Sequence, residues 1–176
     1  MNGAKLTVIR GVTFVALCLG ACSDPVVEDA RDALGPEASG VPEGPLHRPG
    51  QPCLLCHDGS GPGELEMSIA GTVYKYPDGA EPLSGAYVDL IDSRGRKFSA
   101  ATNCAGNFFV QPADFDPEYP LWTTLRFGGA VVDMSTPIFR DGSCASCHIQ
   151  PPGPQSAGHV YFAPRRDIAF PPDGCR

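Results

Sequence analysis

Positive charge is scarce in this chain of 176 residues, which has 13 Lys and Arg residues against 20 Asp and Glu residues and a formal net charge of −7. Nucleic-acid-binding domains usually carry clustered basic residues, so this balance argues against a nucleic-acid partner. The chain also lacks a His-Glu-x-x-His motif and a visible zinc triad, which argues against peptidase activity. Its 19 prolines and 21 glycines favour loops and short strands over long helices.

The apolar run near the N-terminus, Gly11–Leu19, is too short to span a bilayer. It follows two basic residues, and this order predicts an export signal over residues 1–22. The run ends in Leu19-Gly20-Ala21-Cys22, which resembles the lipobox of bacterial lipoproteins. The resemblance implies that Cys22 becomes an acylated N-terminus that anchors the chain to a membrane. The alternative is an ordinary signal peptide that is cleaved near the same place.

One five-residue pattern occurs twice, as Cys53-Leu54-Leu55-Cys56-His57 and as Cys144-Ala145-Ser146-Cys147-His148. Cys-x-x-Cys-His is the attachment signature of c-type haem. Two thiols three positions apart can each add to one vinyl group on the same porphyrin edge, and the following histidine then reaches the proximal position of the iron. The pattern predicts two covalent haems c, with His57 and His148 as proximal ligands. The predicted attachment residues are Cys53, Cys56, Cys144 and Cys147.

Two other readings of these motifs are less consistent with the residues. A structural zinc site needs four donors, whereas each motif supplies three, and pooling both motifs would give six. A thioredoxin-like Cys-x-x-Cys motif does not require a histidine directly after it. Covalent haem therefore remains the leading interpretation.

The sixth ligands of the two irons are open at this stage. Outside the motifs the chain has two histidines, His47 near the first motif and His159 near the second. They predict bis-histidine ligation at both irons. The alternatives are Met67 and Met134, which would raise the reduction potential. An open sixth position at one iron would permit peroxide or gas chemistry.

Residues 23–46 are acidic, rich in Pro and Gly, and almost free of aromatic side chains. Such a segment buries too little surface to fold alone, so we predict a disordered acidic tether, with a turn or two of helix possible within 26–34. The first haem segment then covers residues 47–63.

Residues 64–134 contain short alternating stretches that are separated by turn signals, which predicts a mainly β fold, a small antiparallel sandwich with loop-rich haem segments on either side. Alternation is clearest in Ala86–Ile91, where Ala86, Val88 and Leu90 share one face. The predicted strands lie within 65–76, 86–91, 97–102, 106–110, 121–127 and 130–134.

This middle region resembles the carboxypeptidase regulatory-like, or prealbumin-like, sandwich domains. The resemblance rests on 70–73, on Pro82-Leu83-Ser84-Gly85-Ala86-Tyr87-Val88-Asp89-Leu90, and on Thr102-Asn103-Cys104-Ala105-Gly106-Asn107-Phe108, with Asn103 where the family usually has Asp. It implies an accessory module, a scaffold or contact surface, without catalytic residues.

The second haem segment and the C-terminal tail cover residues 135–176, in which 159–163 is a short apolar stretch typical of a strand. Two cysteines, Cys104 and Cys175, remain after the motifs and the export segment are set aside. Their even number in an exported protein predicts a disulfide, and two free buried thiols are the alternative.

The leading functional hypothesis is a membrane-anchored dihaem c-type cytochrome that carries electrons between envelope or extracellular redox proteins, at the outer membrane, the periplasmic face or the cell surface of a bacterium. The acidic charge would favour a basic partner. One alternative is a non-redox surface interaction module built on the sandwich. Another is a small haem peroxidase, although no acid/base pair stands out near the motifs.

Overall fold

The structure is a computed structural model that describes residues 24–41, 43–172 and 174–175. The predicted export segment and Cys22 lie outside the described residues. Within the part that is described, no helix is both long enough and apolar enough to cross a membrane.

The described chain is mainly β, as predicted, with two short helices and one 3-10 turn at Cys144–Ser146. The two helices are α1 (Pro25–Ala33) and α2 (Leu54–His57). The strands are β1 (Ile69–Tyr74), β2 (Tyr87–Ile91), β3 (Lys97–Ala101), β4 (Asn107–Val110), β5 (Trp122–Phe127), β6 (Ala130–Asp133) and β7 (Val160–Tyr161). Each of these strands falls in a stretch that the sequence predicts to be extended.

The strands form two sheets, a three-stranded sheet in the order β4-β1-β7 and a four-stranded sheet in the order β3-β2-β5-β6. Every pairing between these strands is antiparallel except that of β1 with β7, which is parallel. Strand β7 belongs to the C-terminal tail. The first sheet is therefore completed by a segment outside the predicted sandwich region, residues 64–134.

The core lies between the two sheets. In β2 the alternation predicted from the sequence is observed, since Val88 and Leu90 are buried while Tyr87 and Ile91 are exposed. Strand β1 differs, because all six of its residues are buried. The residues of the core cluster are Ile69, Val73, Leu83, Ala86, Val88, Leu90, Ala100, Phe108, Val110, Phe115, Leu121 and Leu125.

The C-terminal tail is tied to the sandwich at several points. A disulfide joins Cys104 to Cys175, with a Cα–Cα distance of 5.5 Å. The Tyr76 hydroxyl donates a hydrogen bond of 2.7 Å to the Ile168 carbonyl. The ring of Phe170 packs edge-on against the ring of Tyr76, with centroids 5.5 Å apart. The tail is thus part of the packed structure.

The segment predicted to be a flexible tether contains helix α1 and packs against the first motif. The Asp24 side chain caps the helix by accepting from the Val26 N–H at 2.9 Å. The Arg31 guanidinium donates to the carbonyl of Leu55, which lies in the first motif, and its Nη2 is 3.9 Å from Asp58. Composition predicted a segment with too little apolar surface to fold alone, but it did not reveal that one arginine would bind a carbonyl of the next helix.

Asp92 is a buried carboxylate (1% exposed) in the turn that follows β2. It accepts hydrogen bonds from the N–H groups of Arg94 (3.0 Å) and Arg96 (2.9 Å) and from Arg96 Nε (2.7 Å). Burial opposes ionisation of Asp92, but the donors from Arg96 and from the Glu118 N–H outweigh it, so its pKa lies below the ordinary value of 3.8. The charged form therefore holds this turn together.

We predict that Asp92→Asn lowers the melting temperature at neutral pH, because an amide nitrogen would face N–H donors. A carboxylate with a lowered folded-state pKa stabilises the fold above its ordinary pKa, and that stabilisation is lost as the pH falls through the folded pKa. The variant should therefore lose less stability than the wild type between pH 5 and strongly acidic pH. Thermal unfolding across this range measures both effects. Asp114→Asn, at an exposed position, is the control, and equal acid sensitivity of Asp92→Asn and wild type would contradict the assignment.

We predict that the double variant Cys104→Ser/Cys175→Ser lowers the free energy of unfolding by about 2–5 kcal/mol. The disulfide closes a loop of 71 residues, and such a cross-link restricts the unfolded chain. Denaturant unfolding of oxidised wild type, reduced wild type and the double variant measures the difference. The two forms without the disulfide should agree, and a variant as stable as oxidised wild type would rule out this contribution.

Candidate haem-binding site

The first motif forms a single helical turn. The N–H groups of Cys56 and His57 bond to the Cys53 carbonyl at 3.1 and 3.0 Å. Because residues three positions apart lie on one face of a helix, Cys53 and Cys56 present their thiols on the same side. Burial raises the pKa of the Cys53 thiol, and the nearby Cys56 adds to the rise. Two neighbouring thiols thus face one region.

The second motif has the same local geometry. The N–H groups of Cys147 and His148 bond to the Cys144 carbonyl at 3.2 and 2.9 Å. Cys144 lies against Gly71 of β1, where an added Cβ would come 2.8 Å from the sulfur. Burial raises the pKa of Cys144 to about 12, with contributions from Cys53, Asp141 and Cys147. Both motifs therefore arrange two thiols and one histidine over one turn of chain.

The two motif histidines are oriented by the same type of hydrogen bond. The Nδ1 atom of His57 lies 2.7 Å from the Leu65 carbonyl oxygen, and that of His148 lies 2.9 Å from the Gly158 carbonyl oxygen. A carbonyl oxygen only accepts, so Nδ1 carries the proton and Nε2 keeps a free lone pair. Histidines that ligate metals commonly donate their other ring N–H to a carbonyl in this way. Both rings are thus prepared to bind a metal through Nε2.

The loop after the first motif closes tightly around His57. Asp58 accepts from the Ser60 and Gly61 N–H groups at 2.9 Å, and the Gly63 N–H bonds to the Cys56 carbonyl at 2.8 Å. A side chain at position 63 would collide with the His57 ring. The absence of a Cβ at Gly63 is therefore a requirement of this packing.

An open cavity of about 910 Å³ lies beside the first motif. It is lined by Cys53, Cys56, His57 and His47, and strand β4 contributes a wall. Cavities that bind cofactors and other small molecules typically measure about 300–1,000 Å³. The size and the thiol and imidazole lining therefore fit a porphyrin.

His47 and His57 face the same cavity with ring centroids 5.8 Å apart. The two rings are stacked, with their planes inclined by 29°. The cavity therefore brings a second imidazole close to that of His57.

His47 is held in place by a buried chain of hydrogen bonds. Asn107 Nδ2 donates to the His47 carbonyl at 2.9 Å, and the Thr72 hydroxyl donates to Asn107 Oδ1 at 2.7 Å. Thr72 in turn accepts from the Gly50 N–H at 2.7 Å. The Nδ1 atom of His47 lies 3.4 Å from Glu37 Oε1 but has no hydrogen-bond partner among the described residues, so the ring of His47 is not oriented by a hydrogen bond as those of His57 and His148 are.

The remaining ligand candidates lie in different places. Met67 lines the cavity of the first motif, and its N–H bonds to the His57 carbonyl at 2.7 Å. His159 lies on the Tyr74 ring with centroids 4.5 Å apart. Met134 follows β6 in the four-stranded sheet. Only His47 and Met67 of these four candidates line the cavity of the first motif.

Both motifs meet at strand β1. Cys144 contacts Gly71, while the neighbouring Thr72 binds Gly50, three residues before Cys53. The second motif lies between two pairings with β1. Just before the motif, Ser143 forms an isolated bridge to Ala70, and after it β7 pairs with β1. The two predicted attachment points are thus neighbours in space although they lie far apart in sequence.

Several residues near the motifs were not predicted from the sequence. Burial raises the pKa of Tyr119, and the charges of Asp141, Asp116 and Cys144 add to the rise, so Tyr119 lies near the second motif. Asn107 donates to the His47 carbonyl from 60 residues away. No spacing pattern marks such a contact between distant parts of the chain.

Comparisons with protein-family models, with curated proteins and with solved structures find no match to this chain. The resemblance of the middle region to carboxypeptidase regulatory-like domains therefore stays a prediction. Among the described residues, no group of three or more His, Cys, Asp or Glu side chains is arranged to hold a bare metal ion.

We predict that Gly63→Ala lowers the free energy of unfolding by about 1–3 kcal/mol, because a methyl group would be forced against the His57 ring. Gly153→Ala is the matched control, since an added Cβ there meets no atom within 4 Å. Denaturant unfolding of both variants measures the difference. Equal stability of the two variants would show that the loop has room beside His57.

Proposed function

We propose that this chain is a dihaem c-type cytochrome that carries electrons between redox proteins. The observation that carries the proposal is the shared geometry of the motifs: each histidine donates from Nδ1 to a backbone carbonyl and keeps Nε2 free. A redox or structural role of the thiols alone would not require either histidine to be oriented in this way. Haem c, when bound, supplies the reversible one-electron change at iron, and the protein supplies attachment, orientation and environment.

In this proposal the cysteines hold the two haems through thioether bonds, and His57 and His148 are the proximal ligands. The attachment residues are Cys53, Cys56, Cys144 and Cys147. Burial raises the pKa of Cys144 to about 12, so before haem attachment its side chain is a protonated thiol and not a thiolate.

His47 is the sixth ligand that we propose for the first iron. It lines the same cavity as His57, with the two ring centroids 5.8 Å apart, and the hydrogen bond from Asn107 fixes its backbone. Met67 lines the same cavity and stays the alternative. Bis-histidine ligation would give this iron a lower reduction potential than His/Met ligation.

The close approach of the two attachment points supports electron transfer between the haems within one chain. Cys144 lies against Gly71 of β1, and Cys53 is near enough to Cys144 to contribute to its raised pKa. An electron that enters at one haem would have a short path to the other.

The acidic charge and the predicted lipid anchor at Cys22 support a place in the bacterial envelope, at the outer membrane or the periplasmic face. The formal net charge of −7 favours a basic partner protein through long-range attraction. Both statements are part of the proposal and rest on the sequence.

The experiment is expression of the full chain together with cytochrome c maturation machinery, followed by intact mass and a pyridine haemochrome count. We expect two haems per chain, because each cysteine pair can form two thioether bonds. Cys53→Ala/Cys56→Ala and Cys144→Ala/Cys147→Ala should each reduce the count to one.

The matched control is Cys104→Ser/Cys175→Ser, which removes two cysteines outside the motifs and should keep both haems. A mass that equals the amino acids and lipid alone, without Soret absorption, would disprove the proposal. A non-redox interaction module would then be the remaining hypothesis.

A further inference from the structure

Helix α1 is attached to the first haem segment by polar contacts. None of its residues is buried, so apolar packing does not hold it. The Arg31 guanidinium donates to the Leu55 carbonyl of the first motif, and the Arg31 side chain is only 12% exposed. Directly after the helix, the Gly35 carbonyl accepts from Arg48 Nη2 at 2.9 Å. The C-terminal half of α1 is therefore fixed at two points.

The contact of Arg31 suits the end of the motif helix. The last carbonyls of a helix have no partner within that helix, and a basic side chain can bind them. Helix α2 is four residues long, and Arg31 binds the carbonyl of Leu55, its second residue. Nη2 of Arg31 also lies 3.9 Å from Asp58, the first residue after α2. Arg31 thus caps the motif helix from a distant part of the chain.

The residues between α1 and the first motif are bonded to the three-stranded sheet. The His47 carbonyl accepts from Asn107 of β4 at 2.9 Å, and the Gly50 N–H donates to Thr72 of β1 at 2.7 Å. The first haem segment therefore lies against this sheet, whereas the four-stranded sheet lies across the core. Movement of α1 relative to the sandwich is limited at each of these contacts.

The predicted lipid anchor is close to α1 in the sequence. Cys22 comes two residues before Asp24, whose side chain caps the helix. A chain advances by at most 3.6 Å per residue and a helix rises by 1.5 Å per residue, so the backbone of Cys22 is at most about 18 Å from that of Arg31. A free chain from Cys22 to Cys53 would extend to about 100 Å. Docking of α1 therefore shortens the reach of this segment severalfold.

The N-terminal end of α1 has a surface that suits lipid. Val26 is 73% exposed, the largest exposed fraction of any large hydrophobic side chain in the described residues. It lies four residues after Cys22, where an apolar side chain adds to the membrane affinity of an acyl anchor. Farther along the helix, Asp29 and Asp32 are exposed, and their charges disfavour contact with anionic lipid. The end of the helix, and not its length, fits the membrane surface.

We propose that the first haem segment is the membrane-facing end of the protein and that α1 is the short spacer that holds it there. The partner is the lipid surface in which Cys22 is anchored. This inference rests on the lipid anchor in the proposed function and does not depend on haem. The four-stranded sheet, on the other side of the core, then lies farther from the membrane.

The experiment measures the distance of two exposed positions from the lipid headgroups by electron paramagnetic resonance. The full acylated chain is bound to phosphatidylcholine vesicles in which a fraction of the lipids carries a nickel chelate. A nitroxide is attached through p-acetylphenylalanine, so that labelling does not involve the cysteines. Ser60, beside the first motif, is the test position, and Val131 of β6 is the matched control. We expect nickel to relax the label severalfold more at Ser60 than at Val131.

Two changes test whether α1 sets this distance. A flexible Gly/Ser insertion of about 12 residues between Ser23 and Asp24 should reduce the nickel effect at Ser60 to the level at Val131. Arg31→Ala should also reduce it, because the contact with the Leu55 carbonyl is lost. Asp32→Ala, at an exposed position of the same helix, is the control and should leave the effect unchanged. Thermal unfolding shows that the variants are folded.

The outcomes separate this inference from the proposed function. A mass without acyl chains on Cys22 defeats the anchor, and this inference fails with it. An acylated chain with equal nickel effects at Ser60 and Val131 overturns this inference alone. An effect at Ser60 that is unchanged by the insertion or by Arg31→Ala overturns it as well, since α1 would not then set the distance. Loss of haem without loss of the nickel effect defeats the cytochrome proposal and leaves this inference standing.

Discussion

Both candidate haem sites depend on the burial of strand β1 on its two faces. All residues of Ile69–Tyr74 are buried, although the strand has only one other sheet to pack against. One face joins the core. On the other face, Gly50 binds Thr72 and His159 lies on Tyr74. Buried polar groups need hydrogen-bond partners, and the first motif segment supplies one to Thr72. The segments that carry the motifs are therefore part of the packed fold.

The sequence predicted the features that depend on local spacing. The alternation in Ala86–Ile91 correctly located β2 and its buried face, because side chains of a strand alternate between two faces. The motif cysteines and histidines were selected as a candidate site by the same kind of local pattern. The continuous burial of β1 was not predicted, because it results from contacts with segments that come before and after the sandwich region in the sequence.

The features that the sequence did not reveal are hydrogen bonds between distant segments. Asn107 is 60 residues from His47, and Arg31 is 24 residues from the Leu55 carbonyl that it binds. No spacing rule connects such pairs. Composition indicates a flexible tether at residues 23–46, because a low apolar content limits the surface that a segment can bury. It does not show the polar contact that Arg31 makes with the Leu55 carbonyl.

The two motifs reach the same histidine orientation by different loops. The acceptor carbonyl lies eight residues after His57 and ten residues after His148, and the two loops share no obvious sequence. Packing of the loops alone would not require a carbonyl at the same ring atom twice. A requirement for Nε2 to be free explains the coincidence, because the proton must then lie on Nδ1 and needs an acceptor.

The surroundings of the two motifs are unequal beyond this shared bond, and the inequality bears on how a dihaem protein would work. The first motif faces His47, whose backbone is fixed by Asn107. Near the second motif, the ring of His159 lies between Gly50 and Gly79. The two motifs therefore share the orientation of their histidines but differ in the residues that surround them, so the environment of the second motif is set by other parts of the chain than that of the first.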